Sequence, residues 1–338
     1  MHTTDRLRPS LTRLFVWLGA GLLVVLILST FAGRYPKPYW MPPQLLWQDD
    51  MAQQLVLSLR LPRMVVALLL GMSLSAAGAV MQMIFRNPLV EPGFLGVTQG
   101  AAFGAALSIL WISTAPLMIE ASATFFALLG MALSYYLARH LHFGGWVLRL
   151  VLAGIAVSAL FASGNGVLKY LADPLTQLPE ITFWLLGGLW SVTWTDVVYI
   201  LPVVLPALIV IFLMRWRLNL LSLSDETAFS LGTAPGRERT VLLFSAVAAT
   251  AAVTAVAGVV GWVGLIVPHL ARRICGANAQ YTIPASMLIG GAFAVICDDQ
   301  GRTLMAGEIP LGILTSLIGA VIFIGFMLSS GLKVRARE

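Results

Sequence analysis

The sequence predicts an all-α, polytopic membrane protein of about ten transmembrane helices, some of them short or broken. Two observations carry that prediction. Of the 338 residues, 59% are hydrophobic and only 11% are charged, against about 25% charged in a soluble domain. The mean hydropathy is +0.88, and the apolar residues fall in runs long enough to cross about 30 Å of hydrocarbon. Residues 1–338 read as one transmembrane domain, with the polar stretch 215–239 as a loop inside it.

The spans fall near 14–32, 63–85, 94–112, 117–138, 149–170, 197–214, 240–260, 262–274, 284–300 and 309–329. The first follows Arg6, Arg8 and Arg13 and exceeds the roughly 7–15 apolar residues of a cleaved signal core, so it reads as a retained helix. The segment 262–274 is too short to cross unaided and reads as a half-helix. Ten crossings return both termini to one side. With the N-terminus inside, that side collects Arg6, Arg8, Arg13, Arg86, Arg139, Arg149, Arg215, Arg217, Arg237, Arg239, Arg272, Arg273, Lys333, Arg335 and Arg337. The other side keeps Arg34, Lys37, Arg60, Arg63, Lys169 and Arg302, so the balance is fifteen to six. This positive-inside bias places both termini and 215–239 in the cytoplasm. Loops 33–58 and 171–196, rich in Pro, Trp and Tyr, then lie outside at the headgroup boundary.

In lipid, helices associate by close backbone approach, which small residues permit. Gly96, Gly100, Gly104 and Ser108 form such a stripe on the third span, Gly71, Ser75 and Ala79 on the second, and Gly312, Ser316 and Ala320 on the tenth. Two places interrupt the apolar pattern. In 82–99, Pro88 and Pro92 forbid a continuous helix, so the backbone opens where the second span gives way to the third. Asn87 and Leu89 there either line a path or form a plain capped turn. In 258–273, Gly258, Gly261 and Gly264 loosen the chain and Pro268 ends the loosened stretch; His269 reads as a boundary histidine.

The net charge of +6 is scattered over loops, which excludes a nucleic-acid patch. Cys275 and Cys297 have neither metal nor disulfide spacing. No phosphate-binding G-x-x-x-x-G-K-[ST] motif, zinc H-E-x-x-H motif or G-x-S-x-G elbow occurs, so neither nucleotide hydrolysis by that route nor membrane hydrolase chemistry is indicated. Glu91, Glu120, Asp298, Asp299 and Glu308 all fall at or near span ends, which weighs against an ion-coupled secondary transporter, the alternative of another class.

The polar loop contains its own small element. Ser224 to Leu231 reads as a helix with Ser224 as its cap, Asp225 and Glu226 at the positive end of the dipole, and Gly232 as its stop. Two turns are far short of the roughly 12 residues an isolated helix needs. Ala228, Phe229 and Leu231 would be left uncovered, as a plug for a socket on another protein.

The runs LRLPR (59–63), QMIFRNPLVEPGFLGVTQGAAFG (82–104), LNLLSLSDETAFSLG (218–232), VGLIVPHLARR (263–273) and EIPLGILTSLIGA (308–320) together resemble the permease family of binding-protein-dependent ABC importers for iron-siderophores, haem and vitamin B12. Two positions depart from it: Ser224 stands where the family usually has Gly, and Val321 where Pro usually follows Gly-Ala. The resemblance implies a second permease copy in a homodimer or close pseudo-dimer, two cytoplasmic ATP-binding cassette ATPase subunits, and a substrate-binding protein docking outside. Under it, Ser222, Leu223, Ser224, Asp225, Glu226, Thr227, Ala228, Phe229, Ser230, Leu231 and Gly232 are the ATPase-coupling segment. Arg60, Arg63 and Arg302 match arginines that meet acidic residues of the binding protein. Asn87, Pro88 and Leu89, with Val147 and Leu148, match positions that narrow the cytoplasmic end of the path. The implied cargo is a metal chelate, iron(III)-siderophore first, with haem, cobalamin or molybdate as alternatives. It implies no cofactor or metal site of the permease itself and no catalytic residue.

Overall fold

The computed structural model describes residues 11–305 and 307–335; Arg6, Arg8 and Arg337 lie outside the described residues. Helix α1 (Leu11–Phe31) leads through a two-stranded hairpin, β1 (Ala32–Gly33) and β2 (Tyr39–Trp40), to the short α2 (Leu45–Gln48) and α3 (Asp50–Gln54). A wide turn at Leu55–Arg60 joins α3 to α4 (Leu61–Ile84). Then come α5 (Val97–Leu107), α6 (Pro116–His140), α7 (Trp146–Leu171) and α8 (Gln177–Leu186). Helix α9 (Trp194–Leu221) precedes the small α10 (Asp225–Ser230), followed by α11 (Pro235–Ala257), α12 (Val263–Cys275), α13 (Ala279–Thr303) and α14 (Leu311–Arg335).

Among the described residues, eight helices are long and apolar enough to cross a membrane. The two remaining predicted spans are the shorter apolar stretch Val97–Ile112 and the 13-residue α12. The short eighth segment thus holds, and the all-α polytopic class with it. Two loops are more structured than the sequence reading has them. Much of 33–58 is helical, so that Asp50–Ile84 runs 35 residues, and 171–196 contains α8. Aromatic residues signalled an interface there without showing that part of it is helical.

Helix α4 is the most enclosed element, with 78% of its apolar window buried against 6% for α1. The reason lies in its small residues. A side chain on Gly71 would strike the Gly290 carbonyl of α13, and one on Gly78 the Gly264 carbonyl of α12, so both neighbours approach the bare backbone. Ser75 donates to the Ser286 carbonyl at 2.8 Å across the same seam. On α5, Gly100 and Gly104 meet the Phe126 and Ser122 carbonyls of α6 in the same way. The tenth stripe is a correction: Gly312 and Gly319 make the close contacts and Thr315 is fully buried, whereas Ser316 and Ala320 are only partly covered. On a 3.6-residue period, Gly312, Thr315 and Gly319 share one face.

Pro268 also departs from expectation, since it sits inside α12 instead of ending anything. A proline there removes the donor that would serve the carbonyl of Gly264. The Gln82 side-chain amide replaces it, donating to the Gly264 and Leu265 carbonyls at 3.1 and 3.2 Å, while Arg272 donates to the Gln82 Oε1 at 2.5 Å. The break lies earlier, at 258–262, where Gly258 has φ +68°. We expect Gly71→Leu to force α4 from α13 and cost at least the roughly 1–3 kcal/mol of an overpacked core, seen as a lower melting midpoint in detergent.

Candidate functional site

Helix ends bring the predicted residues to two opposite ends of the bundle. At one end, Arg63 in the first turn of α4 reaches across to α13. Its Nε donates to both oxygens of Asp298 at 2.9 Å, and its Nη1 donates to Glu308 at 2.8 and 3.0 Å. Arg302, one turn beyond Asp298 on α13, pairs with Asp299 and lies 3.8 Å from Asp298. It also donates to the carbonyls of Ala32 and Ser29 at 2.7 Å, while the Ser29 hydroxyl donates to Asp299 at 2.7 Å. Three segments, the end of α1, the start of α4 and the end of α13, are therefore tied by one network. Arg60 differs from both. It is 9% exposed and donates to the Thr30 carbonyl at 3.1 Å and to the Met41 sulfur at 3.8 Å. No carboxylate is in ion-pair contact with it among the described residues.

The three predicted arginines thus share a place: together with Arg34 and Glu308 they line one pocket of about 450 Å³. They are not free surface charges, since two of them are already matched internally. The hairpin at its rim is pinned by Tyr35, whose phenol donates to Asp49 at 2.5 Å. That bond holds the Asp49 carboxyl below its usual range and raises the phenol.

At the opposite end, α10 forms as the sequence predicts. The Ser224 hydroxyl accepts from the Thr227 N–H at 3.3 Å, and Gly232 turns the chain with φ +80°. Arg239 of α11 anchors it by pairing with Asp225 at 2.7 Å and donating to the Leu221 carbonyl at 3.0 Å. Ala228 is a correction: it is fully buried, with its carbonyl taken by the Thr233 hydroxyl at 2.6 Å. Phe229 and Leu231 remain 72% and 54% exposed. Thr227, Ser230 and Glu226 surround them in the open.

Asn87, Pro88 and Leu89 lie exposed in the opened segment after α4. Asn87 uses its side chain locally, accepting from the Leu89 N–H at 2.9 Å, so the capped turn is real. The preceding Arg86 donates to the Leu223 carbonyl, which ties this turn to the segment that carries α10. Val147 and the exposed Leu148 begin α7 at the same end. Sequence reading gave Arg86 no role beyond its charge, because nothing local signals a bond between residues so far apart.

Between the two ends lies a cavity of about 370 Å³ lined by Glu91, Thr98, Gln99, Ser158, Thr250 and Thr254, with Gly261 and Gly264. Both backbone breaks open onto it, as they must if irregular backbone at membrane depth faces protein or a polar path. These hydroxyl and amide groups were passed over in the sequence for want of charge; the spacing of Thr250 and Thr254, one turn apart on α11, was the available signal. At the arginine end, Asp298→Asn leaves two buried guanidinium groups short of a carboxylate. We expect it to destabilise the protein by about 3–5 kcal/mol, measured as a lower unfolding midpoint in detergent.

Comparisons with known proteins identify the family and the fold. Residues 21–329 match the FecCD transport family. The chain is 36% identical to the molybdate import system permease protein of Haemophilus influenzae, over 89% of this chain and 91% of that one. It is 39% identical to a probable iron chelatin transport system permease protein of Helicobacter pylori, over 80% and 81%. A solved metal-chelate type ABC transporter in an inward-facing conformation superposes with a TM-score of 0.87 at 35% identity, covering 94% of this chain and 99% of that one. A match that runs from α1 into α14, over a fold reproduced almost whole, makes this chain a multi-pass helical member of the FecCD transport family.

Proposed function

We propose that the chain is the transmembrane permease subunit of an ATP-driven importer, working as a pair of copies with two cytoplasmic ATPase subunits and an external substrate-binding protein. The observation that carries this is α10. A two-turn helix is held from behind by Arg239 and Ala228, yet among the described residues Phe229 and Leu231 stay largely exposed on its outer side. An apolar pair on an otherwise polar tip is suited to a groove in a motor subunit. The chain itself then carries no motor and acts as a gated path.

In this reading the α10 end and both termini face the cytoplasm, supported by the fifteen-to-six charge bias. Ser222 to Gly232 form the coupling segment. Motion of α10 passes through Leu223 and Arg86 to the turn Asn87–Pro88–Leu89, which with Val147 and Leu148 narrows the inner mouth. At the outer end, carboxylates of the binding protein enter the pocket of Arg60, Arg63 and Arg302. The cargo passes a middle section lined by hydroxyl and amide groups, which hold it weakly enough to let go.

We assign an iron(III) chelate of the siderophore type as cargo. The Helicobacter pylori relative named for iron chelatin and the solved metal-chelate transporter support it. The Haemophilus influenzae relative named for molybdate makes that oxyanion the alternative an uptake panel must include.

Two measurements test the machinery in proteoliposomes containing the whole complex. Phe229→Asp, or Leu231→Asp, should abolish ATP-dependent uptake; transport at the wild-type rate would mean the motor grips elsewhere. Arg60→Ala should weaken binding-protein affinity about tenfold or more, the scale of a lost charge-assisted contact at a buried site. Unchanged affinity would remove the docking role.

A further inference from the structure

Glu308 lines two cavities at once. One is the arginine pocket; the other, of about 640 Å³, is walled by Glu120, Glu180, Trp184 and Trp190 among others. The Arg63–Glu308 pair therefore stands as a partition between them. The two acids that hold Arg63 are unequal: the Asp298 side chain is 4% exposed, that of Glu308 40%. A buried ion pair resists exchange, while one open to water exchanges readily.

The charges in the pocket are also unequal. Its lining includes four arginines, Arg34, Arg60, Arg63 and Arg302, against Glu308 alone. Asp298 and Asp299 match Arg63 and Arg302 from behind, and Arg60 has no acidic partner in contact among the described residues. A carboxylate entering beside Arg60 would approach the face of Arg63 that Glu308 already occupies. Two acids on one guanidinium edge repel, and the one more open to water yields.

We propose that Glu308 is an internal competitor for the docking carboxylate: it occupies the open face of Arg63 in the free subunit and is displaced from it when the binding protein docks. This rests on the docking role assigned above to the arginines. Displacement has a path inward. Glu308 lies just before α14, whose Gly312 rests against the carbonyls of Leu186 in α8 and Val259 in the 258–262 break. Releasing Glu308 frees the first turn of α14 against both. Docking is thereby sensed at the segments that close the larger cavity.

The test uses the assembled permease–ATPase complex in nanodiscs, with its cognate binding protein, free of cargo, as the probe. Glu308→Gln removes the competitor and should tighten Kd about three- to fivefold, the scale of a partly exposed ion pair. Glu308→Asp keeps the charge with a shorter reach and should fall between wild type and Glu308→Gln, which keeps the test open if the amide variant assembles poorly. Unchanged or weaker binding in Glu308→Gln, with Arg60→Ala still weakening it, overturns the exchange and leaves the docking role standing. If Arg60→Ala also leaves Kd unchanged, the docking role fails and the exchange fails with it.

Discussion

The seam between α4 and α13 holds the molecule together. Lipid tails are as apolar as leucine, so burying one helix against another gains nothing from leaving water. What remains is dispersion between closely packed backbones and the few polar bonds that cross. Gly71 and Gly290 let the two helices meet carbonyl to Cα, Ser75 adds one hydrogen bond, and Arg63 closes the end with a doubly hydrogen-bonded carboxylate. The contact is short-ranged, so a single added side chain in the middle of the seam is incompatible with it. Helix α1, which lacks such a stripe, is correspondingly the least covered of the long helices.

Buried charge obeys a stricter rule than buried apolar surface, and it organises the two ends differently. At the arginine end, guanidinium groups removed from water require carboxylates or carbonyls in contact, and Asp298, Asp299, Ser29 and Ala32 supply them. Arg60 is held by a carbonyl and a sulfur atom, which satisfy part of its hydrogen-bonding capacity, and no carboxylate is in ion-pair contact with it among the described residues. At the α10 end each pair joins a covered group to an open one: the buried Arg239 holds the exposed Asp225, and the exposed Arg217 reaches the largely covered Glu238 at 2.5 Å. Among the described residues, one end thus keeps a guanidinium without an ion-pair contact in a pocket, the other a largely exposed apolar pair on a tip.

Broken helices need the same accounting of polar groups. The opened backbone at 91–94 and 259–261 faces a cavity lined by hydroxyl, amide and carboxyl groups, and the carbonyl orphaned by Pro268 is served by Gln82 from α4. A loop and a proline that look like weaknesses in a sequence become tolerable because another helix supplies the missing donor. This ties the position of α12 to α4 by a polar bond as well as by the Gly78–Gly264 contact.

Local chemistry was legible from the residues alone. Apolar run lengths placed the crossings, including the short eighth one, and the Ser224 cap with Gly232 located α10 almost to the residue. Capping, turn and span signals act within a few positions, so they are written in consecutive letters. Partners distant along the chain are not. That Arg63 and Arg302 meet Asp298 and Asp299, that Ala228 turns inward while Phe229 does not, that Gln82 answers for Pro268, and that Arg86 reaches Leu223, all depend on which helix lies beside which. Those neighbours are chosen by packing among many similar apolar faces, and only the folded bundle selects one arrangement from them.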